Sequence, residues 1–92
     1  MIFKNRWQSV TWEIRLGELM KLIPEEEFVM IFDYAAGTRG WREEDALFDG
    51  QVLDWWKEKA TTTDMLRMRV LGFQSRETET VSGPVIMIVA EN

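Results

Sequence analysis

The sequence predicts an α+β fold: a small single domain over residues 1–92, with about five mostly antiparallel strands and one or two short helices packed on the sheet. Three observations carry that prediction. Apolar side chains alternate with polar ones in several short stretches, which is the period of a half-buried strand. One stretch, residues 16–23, instead spaces its apolar side chains at the helical interval. The connections between strands are mostly local, which favours antiparallel pairing.

The first strand is expected over residues 9–15, where Val10, Trp12 and Ile14 alternate with Thr11, Glu13 and Arg15. A helix follows. Leu16, Leu19, Met20 and Ile23 form one stripe, with Glu18 and Lys21 on the wet side. Pro24 ends it, because the residue before a proline is pushed out of the α region. Residues 28–34 make the next strand, with Phe28, Met30, Phe32 and Tyr34 on one face and Val29, Ile31 and Asp33 on the other. Two mostly apolar faces place that strand inside the sheet.

Residues 35–44 read as a loop, given backbone freedom by Gly37 and Gly40. A strand over residues 46–53 is expected to pair antiparallel with the one before it, with Gly50 marking a bulge or close approach. Residues 54–63 are ambiguous. Leu53, Trp56 and Ala60 have helical spacing, while the run Thr61-Thr62-Thr63-Asp64 favours an end to any helix. The last third reads as a hairpin. In its first arm Leu66, Met68 and Val70 alternate with Arg67, Arg69 and Leu71. Its second arm is the continuous apolar run over residues 85–90, too short for a typical helix and rich in β-branched types. Polar residues 74–83 join the arms and are expected either to extend the hairpin or to lie mobile, with Gly83-Pro84 at the turn back.

Apolar residues make up 46 % of the chain, which fits a folded domain and not a disordered one. Five Trp, five Phe and six Met supply bulk to a small core, and some are expected to stay partly exposed as a partner surface. Trp55 and Trp56 are adjacent and cannot both bury deeply, so Trp55 is expected at the surface or in an interface. The chain has no cysteine and no histidine. Disulfides, thiol nucleophiles, Cys/His zinc sites and a Ser-His-Asp triad are thereby excluded. No run of about 18 apolar residues is present to span a membrane. The first twelve residues carry Lys4 and Arg6 but no apolar core of a secretory signal, so a cytoplasmic protein is expected.

The net charge of −5 is uneven: residues 1–23 carry +2, residues 24–58 carry −7, and residues 59–92 balance. The candidate acidic surface is Glu25, Glu26, Glu27, Glu43, Glu44, Asp45 and Asp49. Such a face disfavours direct nucleic-acid binding, since phosphates require neutralising cations. It suits a basic protein surface, including one that itself binds nucleic acid. Trp41 between Arg39 and Arg42 is the candidate anchor, because Trp and Arg dominate interface hot spots. The same trio could stack single-stranded bases, but its acidic surroundings oppose that.

Glu43, Glu44, Asp45, Asp49 and Asp54 could in principle offer oxygen ligands to Mg²⁺ or Ca²⁺, but their spacing matches no EF-hand loop. On a strand, Asp45 and Asp49 would share a face that Asp54 would not. Gly37-Thr38-Arg39-Gly40 lacks the Gly-Lys-Ser/Thr ending of a phosphate loop and reads as a turn. The sequence assigns no catalytic residue, no metal ligand and no cofactor.

Three segments taken together, Glu18-Leu19 with Leu22-Ile23-Pro24, Val29 to Tyr34, and Leu47-Phe48-Asp49-Gly50-Gln51-Val52-Leu53-Asp54, resemble small proteins from prophages and conjugative elements of Gram-positive gut bacteria. Those proteins read as a short helix ending in Ile-Pro, a strand ending in Phe-Asp, and a strand of the type Leu-Phe-x-Gly-x-Val-x-Asp. The resemblance covers residues 18–54 and implies an origin in a mobile element. Small acidic proteins of that origin without catalytic residues are often inhibitors of host defence, anti-CRISPR proteins among them. It therefore implies a non-catalytic binding protein whose partner is a basic, nucleic-acid-binding defence effector of the host cell. The alternative is a self-associating accessory protein, a homodimer formed if the run over residues 85–90 lies at a sheet edge.

Overall fold

The computed structural model describes residues 2–3, 8–9, 13–34, 41–42, 46–58, 63–77 and 83–92. In chain order the elements are β1 (Ile2–Phe3), β2 (Gln8–Ser9), α1 (Leu16–Leu22), β3 (Phe28–Asp33), β4 (Trp41–Arg42), β5 (Phe48–Gln51), α2 (Val52–Glu58), α3 (Thr63–Arg67), β6 (Arg69–Glu77) and β7 (Pro84–Glu91). The class is α+β. The main sheet runs β2-β6-β7-β3-β5. It has four full strands, not five, and among the described residues β2 adds a two-residue ladder beside β6. β1 and β4 form a separate two-residue antiparallel ladder.

Of the expected first strand over residues 9–15, residues 10–12 lie outside the described residues, and both described ends face β6. Among its described residues only Ser9 is in a strand, and Arg15 makes an isolated bridge to Arg69. Two backbone bonds flank that bridge where the chain enters α1. The Leu16 N–H, which has no partner within its own helix, donates to the Met68 carbonyl at 2.7 Å, and the Val70 N–H donates to the Ile14 carbonyl at 2.9 Å. Helix α1 begins without a capping side chain at Arg15, but the Glu18 carboxylate accepts the Arg15 backbone N–H at 3.2 Å. It ends at Ile23, which is extended ahead of Pro24.

Strand β3 has the two expected faces. Val29 and Ile31 join Leu16, Met20, Phe48, Val52, Trp55, Met68, Val70, Ile88 and Ala90 in one cluster, on the helix-covered side of the sheet. Met30 and Phe32 join Val85 and Met87 in a second cluster on the other side. All four of these are fully buried as well, so both faces of the central strands are closed.

The expected hairpin arm at 85–90 is β7, and it lies in the interior of the sheet. It pairs antiparallel with β6 and parallel with β3, in the register Met30↔Met87 and Ile31↔Ile88. The parallel pair departs from the antiparallel pattern because β3 and β7 are joined by a long route through β5, α2, α3 and β6, and not by a local turn. A strand buried on both faces reads as a continuous apolar run and not as an alternation, which is what residues 85–90 show. Because β7 has a neighbour on each side, it offers no edge to a second copy, and the expected route to a homodimer is closed. Gly83 supplies the positive φ of 97° that begins β7, a conformation other residues rarely adopt.

Three short helices are present among the described residues, where one or two were expected. The ambiguous segment is helical as α2, but its inward residues are Val52 and Trp55, while Leu53 is exposed. Trp55 is fully buried, contrary to the expectation of exposure, and Trp56 packs edge-on against it with ring centroids 4.8 Å apart. The helix turns by about 100° per residue, so Trp55 reaches the core while Trp56 is only partly covered. Leu66 belongs to α3 and not to a strand. The alternation that begins at Leu66 becomes extended only from Arg69, and a bulge at Leu71 shifts the register with β7.

Candidate protein-binding surface

The acidic run Glu25-Glu26-Glu27 occupies the turn between α1 and β3, which the Glu27 N–H closes by donating to the Pro24 carbonyl at 3.1 Å. All three side chains are exposed. Their backbone carbonyls point the other way. Glu27 accepts the Val52 N–H at 3.0 Å, Glu25 accepts the Leu53 N–H at 3.1 Å, and Glu26 accepts Nε2 of Gln51 at 3.2 Å. The first amides of a helix lack intrahelical partners, so this turn supplies the acceptors that begin α2. The position also favours negative charge, since the start of a helix carries the positive end of its dipole. Asp54, in the first turn of α2, adds a further exposed carboxylate.

Asp49 sits on β5 opposite Met30 and is also exposed. It ends a row across the sheet formed by Gln74, Met87, Met30 and Asp49, taken from the pairings of β6, β7, β3 and β5. Partial burial beside this apolar row pushes the Asp49 carboxyl above its ordinary value. Among the described residues none of Glu25, Glu26, Glu27, Asp49 and Asp54 has an ion-pair partner.

Two exposed leucines stand beside the acidic turn. Leu22, three-quarters exposed at 75 %, closes α1, and Leu53, exposed at 37 %, opens α2. Sequence reasoning singled out neither as a surface residue. The available signal was Leu22 itself, an apolar side chain off the stripe of Leu16, Leu19, Met20 and Ile23. Asp54 was weighed only as a metal ligand, because its proximity to the acidic turn depends on the long-range contact between residues 25–27 and 51–53.

Of the other expected site residues, Glu43, Glu44, Asp45 and Arg39 lie outside the described residues. Trp41 and Arg42 are described by their backbone, which pairs with Phe3 and Ile2 respectively. The expected loop over residues 35–44 therefore contains a short strand. The pairing follows from the partner segment Ile2–Phe3, which local sequence alone does not bring to residue 41.

The opposite end of α1 is electrically different. Arg15 Nη2 pairs with Glu13 at 2.8 Å and its Nη1 donates to the Arg67 carbonyl at 3.1 Å, while Arg69 pairs with Glu91 at 2.6 Å. A cavity of about 430 Å³ lies here, lined by Arg15, Asp64, Arg67 and Asn92. Its cations stand among carboxylates. From Arg15 to Ile23 the helix advances about 12 Å, at about 1.5 Å per residue. Arg15 and Arg69 are thus paired with carboxylates at one end of α1, while among the described residues Glu25, Glu26 and Glu27 have no ion-pair partner at the other.

Among the described residues, no three acidic side chains gather as a metal-holding group, and no helix is long and apolar enough to cross a membrane. Comparison of the chain with protein-family models, curated proteins and solved structures finds no match.

Proposed function

We propose that this protein is a non-catalytic binding module of a phage or mobile element that captures a basic protein surface in the host cytoplasm. The partner class is a nucleic-acid-binding defence effector, inhibited in the manner of anti-CRISPR proteins. The observation that carries the reading is the acidic turn. Three exposed carboxylates stand on a turn, residues 25–27, whose backbone carbonyls accept three hydrogen bonds from residues 51–53, and they have no ion-pair partners among the described residues. Charge displayed on a fixed backbone steers an oppositely charged partner and fixes its register. Leu22 and Leu53 add apolar area beside that charge, so contact can exclude water as well as satisfy Coulomb attraction.

The test is binding to a purified RNA-guided nuclease, with and without its guide RNA, at low and high salt. The expected result is tight binding at low salt that weakens as salt rises. The triple change Glu25→Lys, Glu26→Lys and Glu27→Lys should abolish it while circular dichroism stays unchanged. Binding that ignores both salt and this charge reversal, or an absence of binding, would overturn the reading.

A further inference from the structure

The mode of capture is readable from the sheet edge beside the acidic turn. Strand β5 ends the sheet, and among the described residues no strand lies beyond it. In an antiparallel pair, residues alternate between exchanging hydrogen bonds with the neighbour and turning them away. The Val52 N–H donates to the Glu27 carbonyl, which extends the β3–β5 ladder one step past Phe28↔Gln51 and fixes its parity. Gly50, opposite Val29, is then the next residue bonded towards β3. Asp49 is left with its backbone N–H and C=O turned to the open side, and Gln51 with its N–H, while the Gln51 carbonyl opens the first turn of α2. Asp49 and Gln51 stand two residues apart, the spacing at which an added strand forms its bonds.

We propose, resting on the reading of the acidic surface as a trap for a basic partner, that the partner adds an extended basic segment to the free edge of β5. Charge decides the occupant. Asp49 lies on the edge itself, and Glu25, Glu26, Glu27 and Asp54 flank its α2 end. Opposite charges across a strand pair attract and like charges repel. A lysine or arginine opposite Asp49 is therefore favoured. A second copy of β5 would bring a second acidic edge, Asp49 with Glu25, Glu26, Glu27 and Asp54, alongside the first and is disfavoured. A short edge carrying a charge is a common guard against indiscriminate strand addition. Here the guard is selective, since it admits a basic strand and refuses neutral or acidic ones. Backbone bonds supply affinity in such strand addition, and alternate side chains supply specificity.

The test uses a short peptide of alternating lysine and valine, and the same peptide N-methylated at its central residues, each titrated into the intact isotope-labelled protein at low salt. Methylation keeps every charge and removes the backbone donors. The expected result is slower hydrogen exchange at the Asp49 and Gln51 amides with the unmodified peptide, and binding roughly tenfold or more weaker after methylation. Equal binding of both peptides, with perturbation confined to residues 25–27, overturns strand addition and leaves the charge reading standing. If neither peptide binds, both fall. Slowed exchange with an alternating glutamate and valine peptide also overturns the charge selectivity proposed here.

Discussion

Gly17 and Leu66 meet where α1 crosses α3: a Cβ placed on Gly17 would lie 3.0 Å from Cδ2 of Leu66 and 3.3 Å from its carbonyl oxygen. Gly17 is buried, so the added methyl has no open side to move towards. Alanine is the better helix former by about 1 kcal/mol. Overpacking of this kind costs about 1–3 kcal/mol. The second effect is expected to win, because the Leu66 carbonyl is backbone and cannot rotate away as a side chain can. Gly17→Ala should lower the thermal midpoint by several degrees. In a Leu66→Ala background the same change should cost less, because the nearer contact is gone while the carbonyl remains. A double-mutant cycle by thermal denaturation checks the sign of the coupling.

Buried and exposed apolar positions should separate cleanly. Ile31 and Ile88 are fully buried neighbours across the parallel β3–β7 pair. Ile31→Ala or Ile88→Ala is expected to cost about 2–5 kcal/mol in urea denaturation. Leu22→Ser, at the exposed end of α1, should fall within about 0.5 kcal/mol of the parent. If Leu22→Ser nevertheless weakens capture of a basic partner, the leucine acts in contact and not in folding. Unaltered capture would remove Leu22 from the surface.

Asp49 gives a pH signature whose sign follows from its raised carboxyl pKa. In the window between the unfolded value and the higher folded value, the folded state binds more protons. Stability therefore falls as pH rises through that window. Above it, the charged and partly desolvated carboxylate carries its full penalty. Asp49→Asn removes the penalty, so it should raise the thermal midpoint at neutral pH. The gain should disappear in acid, where Asp49 is protonated in both states. A midpoint difference that is constant across pH would show that desolvation of Asp49 does not matter to folding.

The bond from Gln51 Nε2 to the Glu26 carbonyl couples the acidic turn to the end of β5. Gln51→Ala should cost about 0.5–1.5 kcal/mol at most, since the bond is exposed. Its clearer effect should be local. Hydrogen exchange at the Val52 and Leu53 amides, which bond to the same turn, should speed up relative to the Ile31 amide. Uniform acceleration would mean that the turn opens only with the whole domain.

What the sequence revealed, and what it hid, follows from the range of each interaction. The stripe of α1, its stop at Pro24 and the two faces of β3 depend on neighbours within a few residues, and all were legible. The inward face of α2 was not. Val52 and Trp55 share the helical spacing of Leu53 and Trp56, and only the position of β5 immediately before the helix decides which pair meets the core. The central place of β7 was hidden for a similar reason. Its apolar run marks burial on both sides, but its partner β3 lies more than fifty residues earlier in the chain. In the candidate surface, the exposed glutamates were legible as charge. Their fixing against residues 51–53 was not, because a backbone carbonyl at Glu25 or Glu27 leaves no trace in side-chain identity.

Among the described residues, the separation of ion-paired Arg15 and Arg69 from the unpaired carboxylates of residues 25–27 sets up an electrical asymmetry from one end of α1 to the other. A partner with a positive groove exerts a torque on such a body while the two are still some ångströms of water apart. For the proposed basic partner, tumbling would then be biased before contact, and a larger share of collisions would arrive with the exposed residues 25–27 leading. The gain appears in the association rate, shrinks as dissolved ions shorten the reach of the field, and requires no movement of the fold.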